Sequence, residues 1–184
     1  MVRARDTAAE GEGASSHPAS LAAVDARLAA LRHGGSPLSA AVDAVLSTRT
    51  DRRPTRVVLE TVARRAARQS PGSVLAAATA VDLLDARTAV RWTGLPGREP
   101  GSTAAILVGD YLHSLAFEAL VSTESGVSGT LVDAVTRGVS DLYGEEVAAD
   151  LDERVPRTVR RAVFGLADGV VEALGASGPD ARSR

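Results

Sequence analysis

Residues 102–121, STAAILVGDYLHSLAFEALV, are the longest and most apolar segment of helical character in this 184-residue chain. The apolar side chains leave no wide polar face, and a helix that is apolar nearly all round is normally buried. Ser102 is a suitable N-cap residue for it. Charged or polar residues such as Asp110 and His113 lie inside the segment, where lipid would make them costly. The segment therefore predicts the central buried helix of a soluble domain and not a membrane span.

Six further segments carry hydrophobic residues at helical spacing, with glycine and proline at their ends. No segment shows the alternation of a strand or the turn residues of a hairpin. The sequence therefore predicts an all-α bundle of about seven helices. The six other helices are expected at about residues 19–33, 36–47, 54–69, 73–92, 129–151 and 156–174.

Composition sets the expected domain organisation and excludes some functions. Residues 1–18 are rich in small and charged residues and predict a disordered tail, followed by one all-α domain over 19–175 and a frayed end over 176–184. The chain has no cysteine and no lysine, which excludes disulfides, thiolate chemistry and lysine Schiff bases. A net charge of −2 and 3% aromatic residues argue against nucleic-acid binding. The first residues lack the apolar run of a secretion signal, so we expect a cytoplasmic protein.

Three segments carry a resemblance to a known family. ILVGDYLHSLAFEAL, residues 106–120, resembles the helix of polyprenyl diphosphate synthases in which Gly-Asp-Tyr/Phe-Leu precedes small residues and Phe. AAATAVDLLDARTAV, residues 76–90, is similar to the family's apolar helix with a Glu-Leu-Leu-His core. Upstream, Arg52-Arg53-Pro54 is similar to the basic segment that holds isopentenyl diphosphate in the family. The order and spacing of these pieces over residues 50–120 imply an isoprenoid-synthase-like helical fold.

The family's magnesium machinery has no counterpart in this sequence. Its first aspartate-rich motif should follow residues 76–90, where this chain reads RWTGLPGRE over 91–99, without any aspartate. Several carboxylates must converge on Mg²⁺ to bind an allylic diphosphate and assist its departure. For the second such motif the last helix offers only Asp168 and Glu172. The resemblance thus implies a shortened, cofactor-free relative without catalytic residues or metal ligands, acting as a regulatory or partner subunit of a prenyl synthase or as a homodimer.

An active alternative depends on the Arg52–Arg56 segment. Arg52, Arg53 and Arg56 begin the third helix, and arginine together with free helix N–H groups can grip a diphosphate. The chain would then be a prenyltransferase, with Mg²⁺ as cofactor, or a prenyl-diphosphate binder. The same arginines could instead form an exposed basic loop. A remote alternative is a stand-alone helical interaction protein without any isoprenoid link.

Polar residues inside apolar helices have a functional and a structural interpretation. Asp110 and His113 are either a polar remnant of an active site or a buried structural carboxylate and its hydrogen-bonding neighbour one turn along. Asp82 and Asp85 share one helical face. They either form a displaced metal site or are charges that are solvated or paired with arginines such as Arg87. Trp92 either fills the space that a substrate occupies in active relatives or is core at a helix end.

Overall fold

The computed structural model describes residues 20–32, 37–65, 70–121, 129–149 and 156–176. Within these ranges it contains seven α-helices and no strand, which confirms the predicted all-α bundle. The predicted tails at 1–18 and 176–184 lie outside the described residues, apart from Ala176 at the end of the last helix. The helices are α1 (Leu21–Leu31), α2 (Pro37–Thr48), α3 (Arg53–Arg65), α4 (Pro71–Thr93), α5 (Thr103–Val121), α6 (Gly129–Ala148) and α7 (Arg157–Ala176).

The helix at the centre of the bundle is α4 and not α5, so the prediction that residues 102–121 form the central helix is wrong. Helix α4 packs against α1, α2, α3, α5 and α7. Its side chains are buried around the whole circumference, many of them alanines that let neighbouring helices approach closely. Helix α5 packs mainly on α4 and exposes Ile106 and Leu107, each at 51%. Apolar content indicated how much surface could be buried but not how many neighbours each helix has.

Helix α5 is also, within the described residues, the single helix that is long and apolar enough to cross a membrane. Core helices of soluble proteins pass the same test, so one such helix is weak evidence for a span. In this structure 44% of its most apolar window is buried against the rest of the bundle.

Glycine residues shape the loop between α4 and α5. Gly94, Gly97 and Gly101 have φ values of 74°, 73° and 73°, a region that L side chains rarely adopt. At Gly94 a Cβ atom would lie 2.3 Å from the Arg98 carbonyl oxygen, so no other residue fits this turn. The loop is irregular apart from one isolated bridge between Leu95 and Arg98.

Helices α6 and α7 touch most closely at Gly138. A Cβ atom there would lie 2.5 Å from Leu166 Cδ1 and 3.1 Å from its Cα, so the two backbones are in near contact. Leu166 itself is 1% exposed and has no room to move away. Gly144 lies six residues further along α6. Apart from its two chain neighbours and the adjacent backbone of α6, no atom of the described residues lies within 4 Å of the place that a Cβ atom of Gly144 would take.

We expect Gly138→Ala to destabilise the protein by about 1–3 kcal/mol, because it overpacks this contact. Gly144→Ala, on the same helix, should instead raise the free energy of unfolding by up to about 1 kcal/mol through helix propensity. Chemical denaturation of both variants measures the difference. Equal effects of the two substitutions would contradict the close approach of α6 and α7.

Candidate functional site

A buried carboxylate lies at the centre of a cluster of ion pairs between α4 and the α2–α3 loop. Asp82 is 1% exposed and accepts hydrogen bonds from Arg52 Nε at 3.0 Å and Arg52 Nη2 at 2.8 Å. Arg49 Nη1 donates to it at 3.2 Å and the Thr55 hydroxyl at 2.8 Å. Asp82 therefore accepts four hydrogen bonds, three on Oδ1 and one on Oδ2, which compensate the burial of its charge. We call Asp25, Arg49, Arg52, Asp82 and Asp85 the arginine–aspartate cluster, because the other two carboxylates pair with the same two arginines.

Asp85 occupies the outer edge of this cluster. Its single hydrogen-bond donor among the described residues is Arg49, whose Nη2 donates to Oδ2 while Nη1 stays on Asp82. Burial raises the pKa of Asp85 to about 6, and the neighbouring charge of Asp82 adds to that rise while Arg49 opposes it. The charge of Asp85 can therefore change near neutral pH.

An open cavity of about 320 Å³ adjoins Asp85 between the α2–α3 loop, α3, α4 and α7. We call it the arginine cavity, since three of its lining residues are arginines: Arg49, Arg53 and Arg160. Asp51 and Asp85 supply its negative charge, and Val163 and Phe164 are among its apolar residues. The lining therefore has more positive than negative groups next to an apolar wall. Such a surface suits an anion that carries an apolar part.

The three arginines differ in how far they are already engaged. Arg49 is held by Asp82 and Asp85, and its side chain is 9% exposed. Arg53 forms an exposed pair with Asp51, with Nη2 and Oδ2 2.7 Å apart. Arg160 is exposed, and its guanidinium group forms no hydrogen bond or ion pair with the described residues, although its charge helps to lower the pKa of Asp51 after the larger effect of Arg53. Arg160 is therefore the guanidinium most open to a ligand.

A second buried ion pair joins α4 to α6. Arg87 Nη1 donates to both carboxylate oxygens of Glu146, at 2.7 and 2.8 Å, and its guanidinium carbon lies 4.1 Å from the centre of the Tyr143 ring. The Tyr143 hydroxyl hydrogen-bonds His113 Nδ1, and the His113 ring stacks on Phe117. Burial lowers the pKa of His113, and the charge of Arg87 lowers it further. This network packs α5 and α6 onto α4, and Arg87 also lines a small pocket of about 50 Å³ between α4 and α5.

The predicted diphosphate-binding arginines do not act together. Arg52 turns inward to Asp82 and Asp25, so its donors are used inside the protein. Arg53 lines the arginine cavity, and Arg56 is exposed outside it. The structure thus keeps one of the three at a possible binding surface and adds Arg49 and Arg160 to it.

The structural interpretation of Asp110 is wrong, because this carboxylate is exposed on α5. His113 does not pair with it but with Tyr143. Asp82 and Asp85 are paired with arginines, as one alternative predicted, but with Arg49 and Arg52 instead of Arg87. Asp110 and His113 as remnants of an active site stay a prediction.

Trp92 is 6% exposed at the end of α4 and packs with Leu142, Val159 and Val163. This is the core position that one of its two interpretations describes. Its indole N–H has no hydrogen-bond partner among the described residues. The ring therefore contributes apolar packing between α4, α6 and α7 and not a polar contact.

No group of three or more His, Asp or Glu side chains in the described part of the chain is placed to hold a metal ion. Asp25, Asp82 and Asp85 do gather around the same two arginines. Guanidinium groups lie between these carboxylates. A divalent cation would have to displace them, and their positive charge would repel it.

Arg49, Arg160 and Glu146 take part in these clusters but were not among the candidate residues that the sequence indicated. One signal was available: an apolar helix that contains Asp82, Asp85 and Arg87 needs buried partners of opposite charge. The sequence does not say which elements supply them.

Comparison of the chain with protein-family models, with curated proteins and with solved structures finds no match. The resemblance to polyprenyl diphosphate synthases therefore stays a prediction. The geometry of the site is therefore the basis for its possible functions.

Removal of the central charge of the arginine–aspartate cluster should strongly destabilise the protein. We expect Asp82→Asn to cost about 3–5 kcal/mol, because it leaves two buried guanidinium groups without their shared charge. Asp43→Asn is a matched control, since the Asp43 side chain is 56% exposed and pairs with Arg32, and it should cost less than about 1 kcal/mol. Denaturant unfolding at neutral pH measures both. A cost for Asp82→Asn as small as the control would contradict the structural role of the cluster.

Proposed function

We propose that the protein is a non-catalytic relative of the prenyl synthases that works as a regulatory or partner subunit in isoprenoid biosynthesis. The observation that carries this proposal is the arginine–aspartate cluster. Asp82 and Asp85 lie in the segment that resembles the family's apolar helix, and both are bound by arginines. Carboxylates that already neutralise guanidinium groups are poor ligands for Mg²⁺, which demands a near-octahedral set of oxygens.

The position of Trp92 supports the same proposal. In the resemblance this residue occupies the beginning of the first aspartate-rich motif. Here its side chain is packed in the core against α6 and α7. An acidic side chain at that place would be buried among Leu142, Val159 and Val163, so the surroundings favour packing and not cation binding.

Helix α5 offers a surface for a protein partner. Ile106 and Leu107 are exposed next to each other. An adjoining pocket between α4 and α5 has Arg91, Gly109 and Asp110 among its lining residues. Exposed apolar side chains bordered by charges are common at protein–protein interfaces. We assign the α5 face around Leu107 to contact with a prenyl synthase subunit.

The test uses the purified chain mixed with a prenyl synthase from the same organism. We expect a complex by size-exclusion chromatography with light scattering, and Leu107→Glu should weaken it at least about tenfold, because it places a charge in the apolar contact. Val147→Glu is the matched control: Val147 is 83% exposed on α6, outside the α5 face, and its replacement should leave the complex intact.

Two results would overturn the proposal. One is product formation by the purified chain alone from allylic and isopentenyl diphosphates with Mg²⁺. The other is the failure of every prenyl synthase of the organism to form the complex at micromolar concentration. A complex that Leu107→Glu and Val147→Glu weaken equally would move the contact away from the α5 face.

The arginine cavity favours a second candidate function, the binding of an anion such as a diphosphate with an apolar tail. Arg53 and Arg160 face the cavity from α3 and α7, and Phe164 and Val163 supply apolar surface beside them. Arginine binds phosphate oxygens in a bidentate manner, and the cavity residues of α7 lie in the N-terminal half of that helix. This function is compatible with the partner role, because a ligand-binding subunit needs no catalysis.

The second function is tested by titrating inorganic diphosphate into the protein in a calorimeter. We expect Arg160→Gln to weaken binding about tenfold, since it removes the guanidinium that is free for the ligand. Arg161→Gln is the control, because Arg161 is also exposed on α7 but does not line the arginine cavity. Equal loss in both variants would indicate non-specific attraction, and no binding to the unaltered protein would exclude the function.

A further inference from the structure

Asp85 is the boundary between the buried arginine–aspartate cluster and the open arginine cavity. Its side chain is 22% exposed and lines the cavity, while Asp82 one turn earlier is 1% exposed and does not. Arg49 connects the two carboxylates with different nitrogens of one guanidinium group, Nη1 on Asp82 and Nη2 on Asp85. The donor of Arg49 that lies nearest the cavity is therefore the one that Asp85 holds.

The anchoring of Arg49 does not depend on Asp85. Nη1 also donates to the Asp82 backbone carbonyl at 2.9 Å, so two contacts to Asp82 keep the guanidinium in place. If Asp85 became neutral, Nη2 would lose its charged acceptor, and Nη1 would still position the group. Arg49 would then present a fixed N–H donor at the wall of the cavity, a preorganised arrangement for an anion.

Charged groups from several elements of the described structure face Asp85. They are Asp82 on its own helix, Arg49 and Asp51 from the α2–α3 loop, Arg53 from α3 and Arg160 from α7. Arginines stay charged at any relevant pH, and the pKa of Asp51 is lowered by the hydrogen bonds that Arg53 donates to it. Asp82 does not line the cavity. Asp85 is thus the group at this cavity whose charge can vary.

We propose that Asp85 is a proton-operated gate of the arginine cavity, which releases Arg49 to an anionic ligand when its carboxylate takes up a proton. The proposal rests on the anion-binding function assigned above to the same cavity. Ionised Asp85 both occupies Nη2 of Arg49 and repels an incoming anion. Neutral Asp85 holds Nη2 only through an uncharged and therefore weaker acceptor and no longer repels the anion, so the cavity changes from nearly balanced charge to clearly positive charge.

The direction of the pH effect follows from the ionisation of Asp85. Burial raises its pKa to about 6, so the carboxylate is charged above that pH and neutral below it. Anion binding should therefore be weak at about pH 8 and tighten as the pH falls through 6. Removing one negative charge and freeing one donor next to the ligand should strengthen binding about tenfold.

The experiment measures binding of inorganic sulfate by NMR titration at about pH 8 and about pH 5, since the charge of sulfate is constant over this range. We expect about tenfold tighter binding at the lower pH for the unaltered protein. Asp85→Asn should bind at both pH values as tightly as the unaltered protein does at the lower one. Because binding and protonation are linked, saturating sulfate should raise the pKa of the Asp85 carboxyl by about one unit.

Asp51→Asn separates the gate from general electrostatics. Asp51 also lines the cavity, but its pKa is lowered, so its replacement should tighten sulfate binding equally at both pH values and preserve the pH dependence. Sulfate binding that is independent of pH, or a pH dependence that persists in Asp85→Asn, would overturn the gate and leave the anion site standing. No sulfate binding to any of these proteins at either pH would overturn the anion site and the gate together.

Discussion

The burial of one negative charge, that of Asp82, constrains the first half of this structure. A carboxylate this deep requires full compensation, and Arg49, Arg52 and Thr55 supply it from the α2–α3 loop and the first turn of α3. If the α2–α3 loop moved away from α4, the charge of Asp82 would remain in the core without a partner. This contact fixes where α3 begins, and with it the position of Arg53 and of the cavity beside it.

The same compensation decides which arginines can meet a ligand. Arg52 resembles a phosphate-binding residue in sequence, yet its donors are satisfied inside the protein by Asp82 and Asp25. Arg160 lies on a helix outside the resemblance, and its guanidinium group has no partner among the described residues. A motif thus identifies residues of suitable chemistry, but the electrostatic demand of the buried core determines which of them remain available.

Helical spacing and helix ends were predictable because they depend on local residues: the proline and glycine positions placed α2, α4 and the α4–α5 loop close to their observed bounds. Partners were not predictable. The three-residue spacing of Asp82 and Asp85 puts them on one face, but which arginines reach them depends on how distant helices pack. For the same reason Asp110, which one of its two interpretations placed in the core, is exposed: the apolar content of α5 could not reveal that the described residues leave one side of it uncovered.

The two surfaces proposed for function meet different parts of the bundle. Helix α5, with the exposed Leu107, packs on α4, α1 and α2, whereas α3 and α7, which carry Arg53 and Arg160, pack on each other and on α4. A partner on α5 would therefore leave the arginine cavity open. An influence of one surface on the other would pass through α4 or through the contact of His113 on α5 with Tyr143 on α6 and from there to α7. The buried alanines and two ion-pair networks of α4 leave that helix little freedom to shift. This rigidity favours two independent binding events over an allosteric coupling between them.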